Sequence, residues 1–512
     1  MHPSFFHAII WPGSLCGKAA RERFVKIEEK RMTDIIIIGA GVLGCAIARE
    51  LSFHQVSVTV LEKECDVAAA TTGRNSAVVH AGFNNKTGSL MAKVCVEGNR
   101  MMEQLCRELD VPFKKTGKVL VAFDEEDIEI LKRMIAQGEA NGCEGLRLIP
   151  EEAVRELVPG VGGIGGMLSP NTGIIDPFRY CIALAENAAE NGACFRFEEE
   201  VTAIRKKEEG FTVATCKGEY DCRVLINAAG LHADTVSAMA GVDAYHIYPC
   251  RGEYFILDKL ADAMLPMPVY PAPKAGIGGL GVHLTPTVHG NILIGPSAEY
   301  IDEKENYDCT AEITDKLWRE AVALMPALER KHIIGQYSGI RAKQAPASEG
   351  GYRDFVIREE PACPGLINLI GTESPGLTGS VPIARMVRDI AAVIIPLERK
   401  KEVNASHRFP PRFAELPEEE QERLIAEDPE YGEIICRCQR VTKREIRQAI
   451  ENPLGARSLS AVKYRAWAMT GRCSGGYCLN RIADMLVREY GVAPAQITWR
   501  GSGSEMFSGE VK

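Results

Sequence analysis

The 512-residue sequence predicts a mixed architecture, α/β at its beginning, α+β through its middle and a small helical unit at its end. Three observations carry that expectation. "DIIIIGAGVLGCAIARELSFHQVSVTVLEKE" reads as strand, glycine turn, helix and second strand. "VPFKKTGKVLVAF" and the region from "YPCRGEYFILD" to "GNILIGPSAEY" alternate as antiparallel strands do when one face is covered. Near the C-terminus, "EIICRCQRVTKREIRQAI" and "MTGRCSGGYCLNRIADML" set four cysteines among short helical patterns.

Length suggests roughly three domains. Hydrophobic residues at 46% and charged residues at 25% are ordinary for a folded chain. Sixty basic against 69 acidic residues give a net charge of −9, and no basic run is long enough to neutralise a row of phosphates, which argues against nucleic acid as a partner. Of 17 cysteines, those outside the C-terminal four, such as Cys45, Cys181 and Cys194, stand singly in apolar or helical contexts and read as reduced core residues. No apolar run reaches the ~18–20 residues of a membrane span, and the reducing cytoplasm is the expected location. Residues 1–31 lack the cationic start and cleavage site of a signal peptide. They are expected to be a disordered or untranslated leader, because Met32 opens the first strand pattern.

In the first unit, Gly39, Gly41 and Gly44 follow a four-isoleucine strand in G-x-G-x-x-G spacing. Gly39 suits the tight turn, Gly41 the close approach of backbone to a pyrophosphate, and Gly44 the packing of helix on strand. The helix N-terminus favours the negative charge. Glu62, at the end of the second strand, is placed to accept ribose hydroxyls and disfavours a 2′-phosphate, which argues against NADP. The fingerprint alone does not separate FAD from NAD.

Three further stretches extend the pattern: "AATTGRNSAVVHAGF" (69–83), "RVLINAAGLHAD", whose strand ends in small residues, and "GLINLIGTESPGLTGSVPIARMV". With them the chain resembles the FAD-dependent oxidoreductase superfamily that contains D-amino-acid oxidase, glycerol-3-phosphate oxidase and L-2-hydroxyglutarate dehydrogenase, over about residues 33–395. The resemblance implies FAD as cofactor, in a discontinuous Rossmann-type domain. Its segments would be about 33–115, 170–245 and 335–395, enclosing an antiparallel-sheet substrate domain at about 116–169 and 246–334. It implies cofactor contacts at Thr72, Asn75 and Ser76 in the first stretch and at Ala229 and Gly230 in the second. In the third they fall at Gly371, Gly376, Leu377 and Thr378, with a helix starting near Gly376 whose first amides would face the flavin pyrimidine.

The resemblance also makes His80 the base beside the flavin; read alone, it would be a histidine bonded in a buried turn. Arg341 in "YSGIRAKQAP" matches the arginine that clamps the substrate anion, with Lys343 beside it. Arg251 reads chiefly as a solvated strand-end charge, and Tyr254 as either a cavity wall or sheet packing. Several glycerol-phosphate oxidases carry a lysine where this chain has Leu280, and Lys274 is a candidate replacement. The implied reaction is oxidation of a small anionic secondary alcohol, first sn-glycerol 3-phosphate to dihydroxyacetone phosphate. L-2-hydroxyglutarate or another 2-hydroxy acid comes next, and then an amine or imino acid.

Residues 396–432, rich in proline and charge, read as a linker with a short helix in "LPEEEQERLIAEDP". Beyond it, Cys436-x-Cys438 and Cys473-x4-Cys478 are 34 residues apart. Residues two apart in extended chain point the same way, so each pair is expected to grip one metal. Thr442 and Glu445 form a capping box for the helix that follows. Residues 433–490, followed by a tail at 491–512, resemble the ferredoxin domain associated with bacterioferritin, which implies a [2Fe-2S] cluster on the four cysteines. Structural zinc or unrelated thiols are the competing readings. The combination implies a dehydrogenase that drains electrons to a partner protein or a second flavoprotein subunit. A non-catalytic electron relay is the alternative.

Overall fold

The computed structural model describes residues 32–259, 265–273 and 281–509, so the expectations for residues 1–31, Lys274 and Leu280 lie outside the described residues. The strand Met32–Ile38 runs parallel to Val58–Leu61 on one side and to Glu219–Asn227 on the other, and Leu366–Ile370 continues the parallel set beyond Glu219–Asn227. Ile35, Ile36 and Ile37 have no exposed surface, because helices cover one face of this eight-stranded sheet and a second apolar cluster covers the other. The helix Val42–Ser52 packs against Pro177–Glu190 and Ser380–Ile394, which come from distant parts of the sequence.

The second sheet has nine strands. Tyr248–Leu257 pairs antiparallel with Ile333–Lys343 along its whole length, from Tyr248↔Lys343 to Leu257↔Ile333. The expected boundary at residue 335 therefore cuts through a strand that belongs wholly to this sheet. The sheet is also not purely antiparallel, since Val269–Pro271 runs parallel to Lys118–Ala122. Together the two sheets and the C-terminal helices make the α/β and α+β combination.

The C-terminal unit packs the helices Lys443–Ile450, Leu459–Ala466 and Leu479–Tyr490 around Ile446, Val462 and Ile482. The capping box forms: Thr442 Oγ1 accepts from the Glu445 amide, and the Glu445 carboxylate accepts from the Thr442 amide. The unit is docked against the first sheet's helices. Tyr464 stacks on Phe178 with ring centroids 3.9 Å apart. Arg465 reaches into the joint, donating to Glu186 at 2.7 Å and to Asp66 at 2.6 and 3.1 Å, with all three side chains buried. The stretch read as a linker includes the helix Glu418–Glu427, and its earlier part is held down. Asn187 donates to the carbonyls of Asn404 and Ser406, and His407 sits buried between Glu186 and Glu190. Asparagine amides thus satisfy backbone groups that a free linker would leave to water.

Replacing Arg465 strands two buried carboxylates, and removing one side of a buried ion network costs about 3–5 kcal/mol. We expect Arg465→Ala to lower the unfolding free energy by about that amount, read as a lower urea midpoint, and to expose the 396–432 stretch to protease; an unchanged midpoint contradicts this account.

Candidate active site and thiol cluster

A cavity of about 1660 Å³ lies between the two sheets and the C-terminal unit. Its first wall is the glycine turn. Gly39 has φ +103°, and a Cβ there would stand 2.6 Å from the Ala228 carbonyl oxygen; a Cβ on Gly44 would stand 1.9 Å from the Gly39 oxygen. Gly44 packs beneath the turn, while Gly39 and Gly41 line the cavity. The Thr72 hydroxyl accepts from the Val42 amide at the helix start. The Glu62 carboxylate is oriented by the amides of Ala40 (2.6 Å) and Glu64 (3.0 Å), and burial raises its pKa. Ala229 and Gly230 end the strand Glu219–Asn227 on the same wall. This groove is bare backbone, a fixed acid and a helix start, which is what an adenine dinucleotide requires.

The second wall is built from the His80 segment and the 372–378 loop. Asn75 donates to the carbonyls of Thr71 and Thr72 and accepts from the Ala77 amide, closing the turn that carries Ser76. The His80 amide donates to Thr378 Oγ1 at 3.0 Å, and the His80 carbonyl accepts from Asn99, so the residue is pinned on both sides. Gly376, Leu377 and Thr378 line the cavity. Gly371 does not: its φ is +68°, and a Cβ would meet Gln344 at 2.3 Å, so its place reflects packing and Thr372 lines the cavity instead. The helix begins at Ser380 rather than near Gly376, because the chain first forms turns, with the Gly376 amide bonded to Glu373 and the Gly379 amide to Pro375.

Electrostatics single out a few side chains on the third wall. Burial and the nearby Lys118 ammonium push the His80 pKa down to about 3, so its imidazole is neutral. Arg341 donates through both terminal nitrogens to the Ser297 carbonyl, at 3.2 and 3.1 Å. Burial works against its charge, but Tyr254, Cys250 and Glu373 more than offset that. Tyr254 stacks on Tyr337 with centroids 4.6 Å apart and lines the cavity. Lys343 is no free cation, since it donates to Glu373 (2.9 Å) and to the Gly351 carbonyl (3.0 Å). Arg251 is not a solvated charge: it is buried against Asn306, Glu253 and Glu299, away from the cavity. Lys118, which the sequence reading passed over inside a strand pattern, is fully buried and lines the cavity; burial lowers its pKa to about 7.

The four cysteines gather at one end of the C-terminal unit. Their thiol contacts cross the two motifs instead of joining neighbours within each. Cys438 and Cys473 are 3.4 Å apart and exposed, whereas Cys436 is buried and bonded to Cys478. The strand stops at Cys436, and a turn with Arg440 at φ +52° carries Cys438 outward, so the first two thiols do not lie along one extended strand. The Cys478 thiol and the backbone amides of Met469, Gln439 and Cys438 bring the Cys436 pKa down to about 6; amides of Tyr477 and Gly475 likewise lower Cys473. Among the described residues no set of three metal-binding side chains converges on a single-ion point. Two sulfur pairs with amides directed at them suit a two-iron cluster better than one tetrahedral ion.

The cavity and the cysteines share a wall. Trp467 and Thr470 line the cavity, and Met469 between them bonds Cys436 through its amide. Sequence reasoning missed this wall, because nothing in "AWAMTG" marks it as a contact.

Residues 34–390 match the family described as "FAD dependent oxidoreductase", and residues 434–488 match the "BFD-like [2Fe-2S] binding domain". The chain is 40% identical over 484 residues to a glycerol 3-phosphate dehydrogenase of Caloramator mitchellensis, covering 94% of this chain and 99% of that one. It is 32% identical over 409 residues to a mitochondrial L-2-hydroxyglutarate dehydrogenase of Arabidopsis thaliana, covering 70% and 83%. Among solved structures, the dithionite-reduced L-alpha-glycerophosphate oxidase of Mycoplasma pneumoniae with FAD bound superposes with a TM-score of 0.70 at 28% identity, over 74% of this chain and 99% of that one. Glycine oxidase of Geobacillus kaustophilus, at 23% identity and TM-score 0.64, shares the fold. The chain belongs to the FAD-dependent oxidoreductase family and joins to that flavoenzyme a C-terminal [2Fe-2S] domain.

Proposed function

We propose that the protein oxidises the secondary alcohol of sn-glycerol 3-phosphate to dihydroxyacetone phosphate and passes the electrons through its cluster to a partner protein. The observation that carries this reading is the single cavity holding His80 and Arg341, one wall of which, at 467–470, also bonds a cluster cysteine. It is further supported by the Caloramator relative, similar over 94% of this chain and 99% of its own length. FAD, when bound, would accept one hydride, that is two electrons together, and a [2Fe-2S] cluster carries electrons singly. We assign FAD binding to the glycine turn, to Glu62, to Thr72, Asn75 and Ser76, to Ala229 and Gly230, and to Gly376, Leu377 and Thr378. The cluster falls to Cys436, Cys438, Cys473 and Cys478.

His80 takes the hydroxyl proton. Its depressed pKa leaves the imidazole unprotonated through the physiological range, and the grip of Thr378 and Asn99 on its backbone fixes where it stands. Arg341 holds the anionic group: its terminal nitrogens already donate twice to the Ser297 carbonyl and once to Cys250 Sγ, which leaves two of its five N–H groups for a phosphate or carboxylate. The stacked Tyr254 and Tyr337 and the Trp467 side of the C-terminal unit keep bulk water from the reacting atoms. Trp467 and Met469 both take φ +63°, a conformation non-glycine residues seldom hold, so the wall between cavity and cysteines is strained backbone kept in place by its surroundings.

A second reading, oxidation of L-2-hydroxyglutarate, draws on the Arabidopsis relative and on a second cation, Lys118, in the cavity. Anaerobic titration of the holoenzyme with each substrate separates the two. Bleaching of the flavin and then of the iron–sulfur absorption by sn-glycerol 3-phosphate supports the first; bleaching by hydroxyglutarate alone supports the second; bleaching by neither ends both. His80→Gln is expected to slow flavin reduction by about 10²–10⁴-fold, with the acidic limb of the wild-type rate lying below the ordinary histidine pKa of about 6.5. Cys473→Ser is expected to leave flavin reduction intact and to abolish transfer to a one-electron acceptor; full transfer in that variant removes the cluster from the path.

A further inference from the structure

Among the described residues three buried cations lack a carboxylate within ion-pair distance: Arg49 donates to Asn187 Oδ1 and the Ala405 carbonyl, Arg179 donates to the Arg465 carbonyl and lies over Phe409, and Lys118 has ring faces alone; the other three are paired. Arg465 has Asp66 and Glu186, Arg251 has Glu253 and Glu299, and Lys343 has Glu373. Lys118 is 1% exposed, and among the described residues no carboxylate lies within ion-pair distance of it. Its ammonium stands 4.2 Å from the centroid of Tyr270 and 4.7 Å from that of Phe83, so its immediate surroundings are ring faces. Such contacts stabilise a cation by about 0.5–2 kcal/mol. An ion with no charged partner loses several kcal/mol of hydration on burial. Among the described residues nothing supplies the counter-charge that a buried amine on this cavity wall calls for.

The neighbours of Lys118 are those of a binding site. Tyr270 stacks on His283 at 3.7 Å. His283 donates from Nδ1 to the Gly281 carbonyl, which leaves Nε2 of the neutral ring as a buried acceptor without a hydrogen-bond partner. Both Lys118 and Arg341 act electrostatically on this ring, and Lys118 acts on His80 as well. The strand of Lys118 pairs with Val269–Pro271, which carries Tyr270 and pairs in turn with His283–Pro286. Arg341 comes from a distant strand of the same sheet, Ile333–Lys343. Two basic side chains from well-separated strands of one sheet therefore act on His283 and reach the cavity that contains His80.

We propose that Lys118 is a second anion-recognition residue and that, with Arg341, it makes the cavity selective for a dianionic substrate over monoanionic or neutral alcohols. Its ammonium contacts one oxyanion of the substrate. This deepens the alcohol-oxidising reading above and rests on it. A phosphate monoester and a dicarboxylate both satisfy the charge requirement, and the two are separated by experiment.

The test is anaerobic flavin reduction of the holoenzyme by sn-glycerol 3-phosphate, L-2-hydroxyglutarate, L-lactate and glycerol, in wild type, Lys118→Met and Lys118→Arg. A charged hydrogen bond contributes about 1.5–3 kcal/mol, so Lys118→Met should raise the half-saturating concentration of the preferred dianion by about 10–150-fold, with the loss falling on half-saturation more than on the limiting rate. Lys118→Arg should recover most of it. The dianion that suffers identifies the head group as phosphate or carboxylate. Equal half-saturation in wild type and a flavin-replete Lys118→Met overturns the proposal. So does a wild type that takes L-lactate as readily as either dianion, a result that needs no variant to fold. If no alcohol reduces wild-type flavin, the reaction assignment fails while Lys118 is still decided: inorganic phosphate or glutarate must then perturb the flavin spectrum at least tenfold more tightly in wild type than in Lys118→Met, with Lys118→Arg close to wild type, and equal or absent binding overturns the site.

Discussion

The contact on which the rest of this structure depends is the burial of Arg465 between Asp66 and Glu186. Asp66 sits just beyond the second strand, Glu186 lies in the helix Pro177–Glu190, and Arg465 belongs to the helix that precedes the second cysteine motif. One side chain thus holds a separate cysteine-bearing unit against the flavoenzyme. A buried ion network is a poor source of net stability but tolerates few alternative arrangements, because every displaced geometry leaves a charge unpaired in a low-dielectric setting. Specific docking is what electron transfer across a joint requires.

Fixed docking is what gives the 467–470 segment two neighbours at once. The cavity meets Trp467 and Thr470, while Cys436 meets the Met469 amide. The two left-handed residues there are tolerated because the Phe178–Tyr464 stack and the Arg465 network hold the segment from both sides. The His407 strap adds a third hold through Glu186. The acid that anchors Arg465 therefore also anchors the chain leading to the C-terminal unit.

Within the cavity, charge is distributed by burial more than by pairing. Burial, helped by Lys118, lowers the basicity of His80 and of His283. In the proposed oxidation, a neutral His80 is free to receive a proton, and the buried basic groups beside it would meet the incoming anion.

Much of the site was legible in the residues. Gly39, Gly41, Gly44 and Glu62 are local chemistry: a tight turn, a close backbone approach and a strand-end acid each demand a particular residue type at a particular spacing, and the strand, helix and strand around them follow from periodicity. The cysteine motifs and the Thr442 capping box are local in the same sense. Lys118 was invisible because a lysine in an alternating strand reads as solvated; only the pairing of Lys118–Ala122 with Val269–Pro271, across some 150 positions of sequence, puts Tyr270 against it and closes it from water. Arg251 was misread for the converse reason, since Glu299 and Asn306 reach it from other segments, and Lys343 is likewise claimed by Glu373 from a distant loop. The crossed thiol contacts depend on where a two-residue strand pairing ends, and the wall shared by cavity and cysteines depends on Arg465 finding two carboxylates far away in the chain. Sequence determines what is decided within a turn or a period; long-range contacts decide which charges are buried and which are paired, and those remained for the tertiary structure to settle.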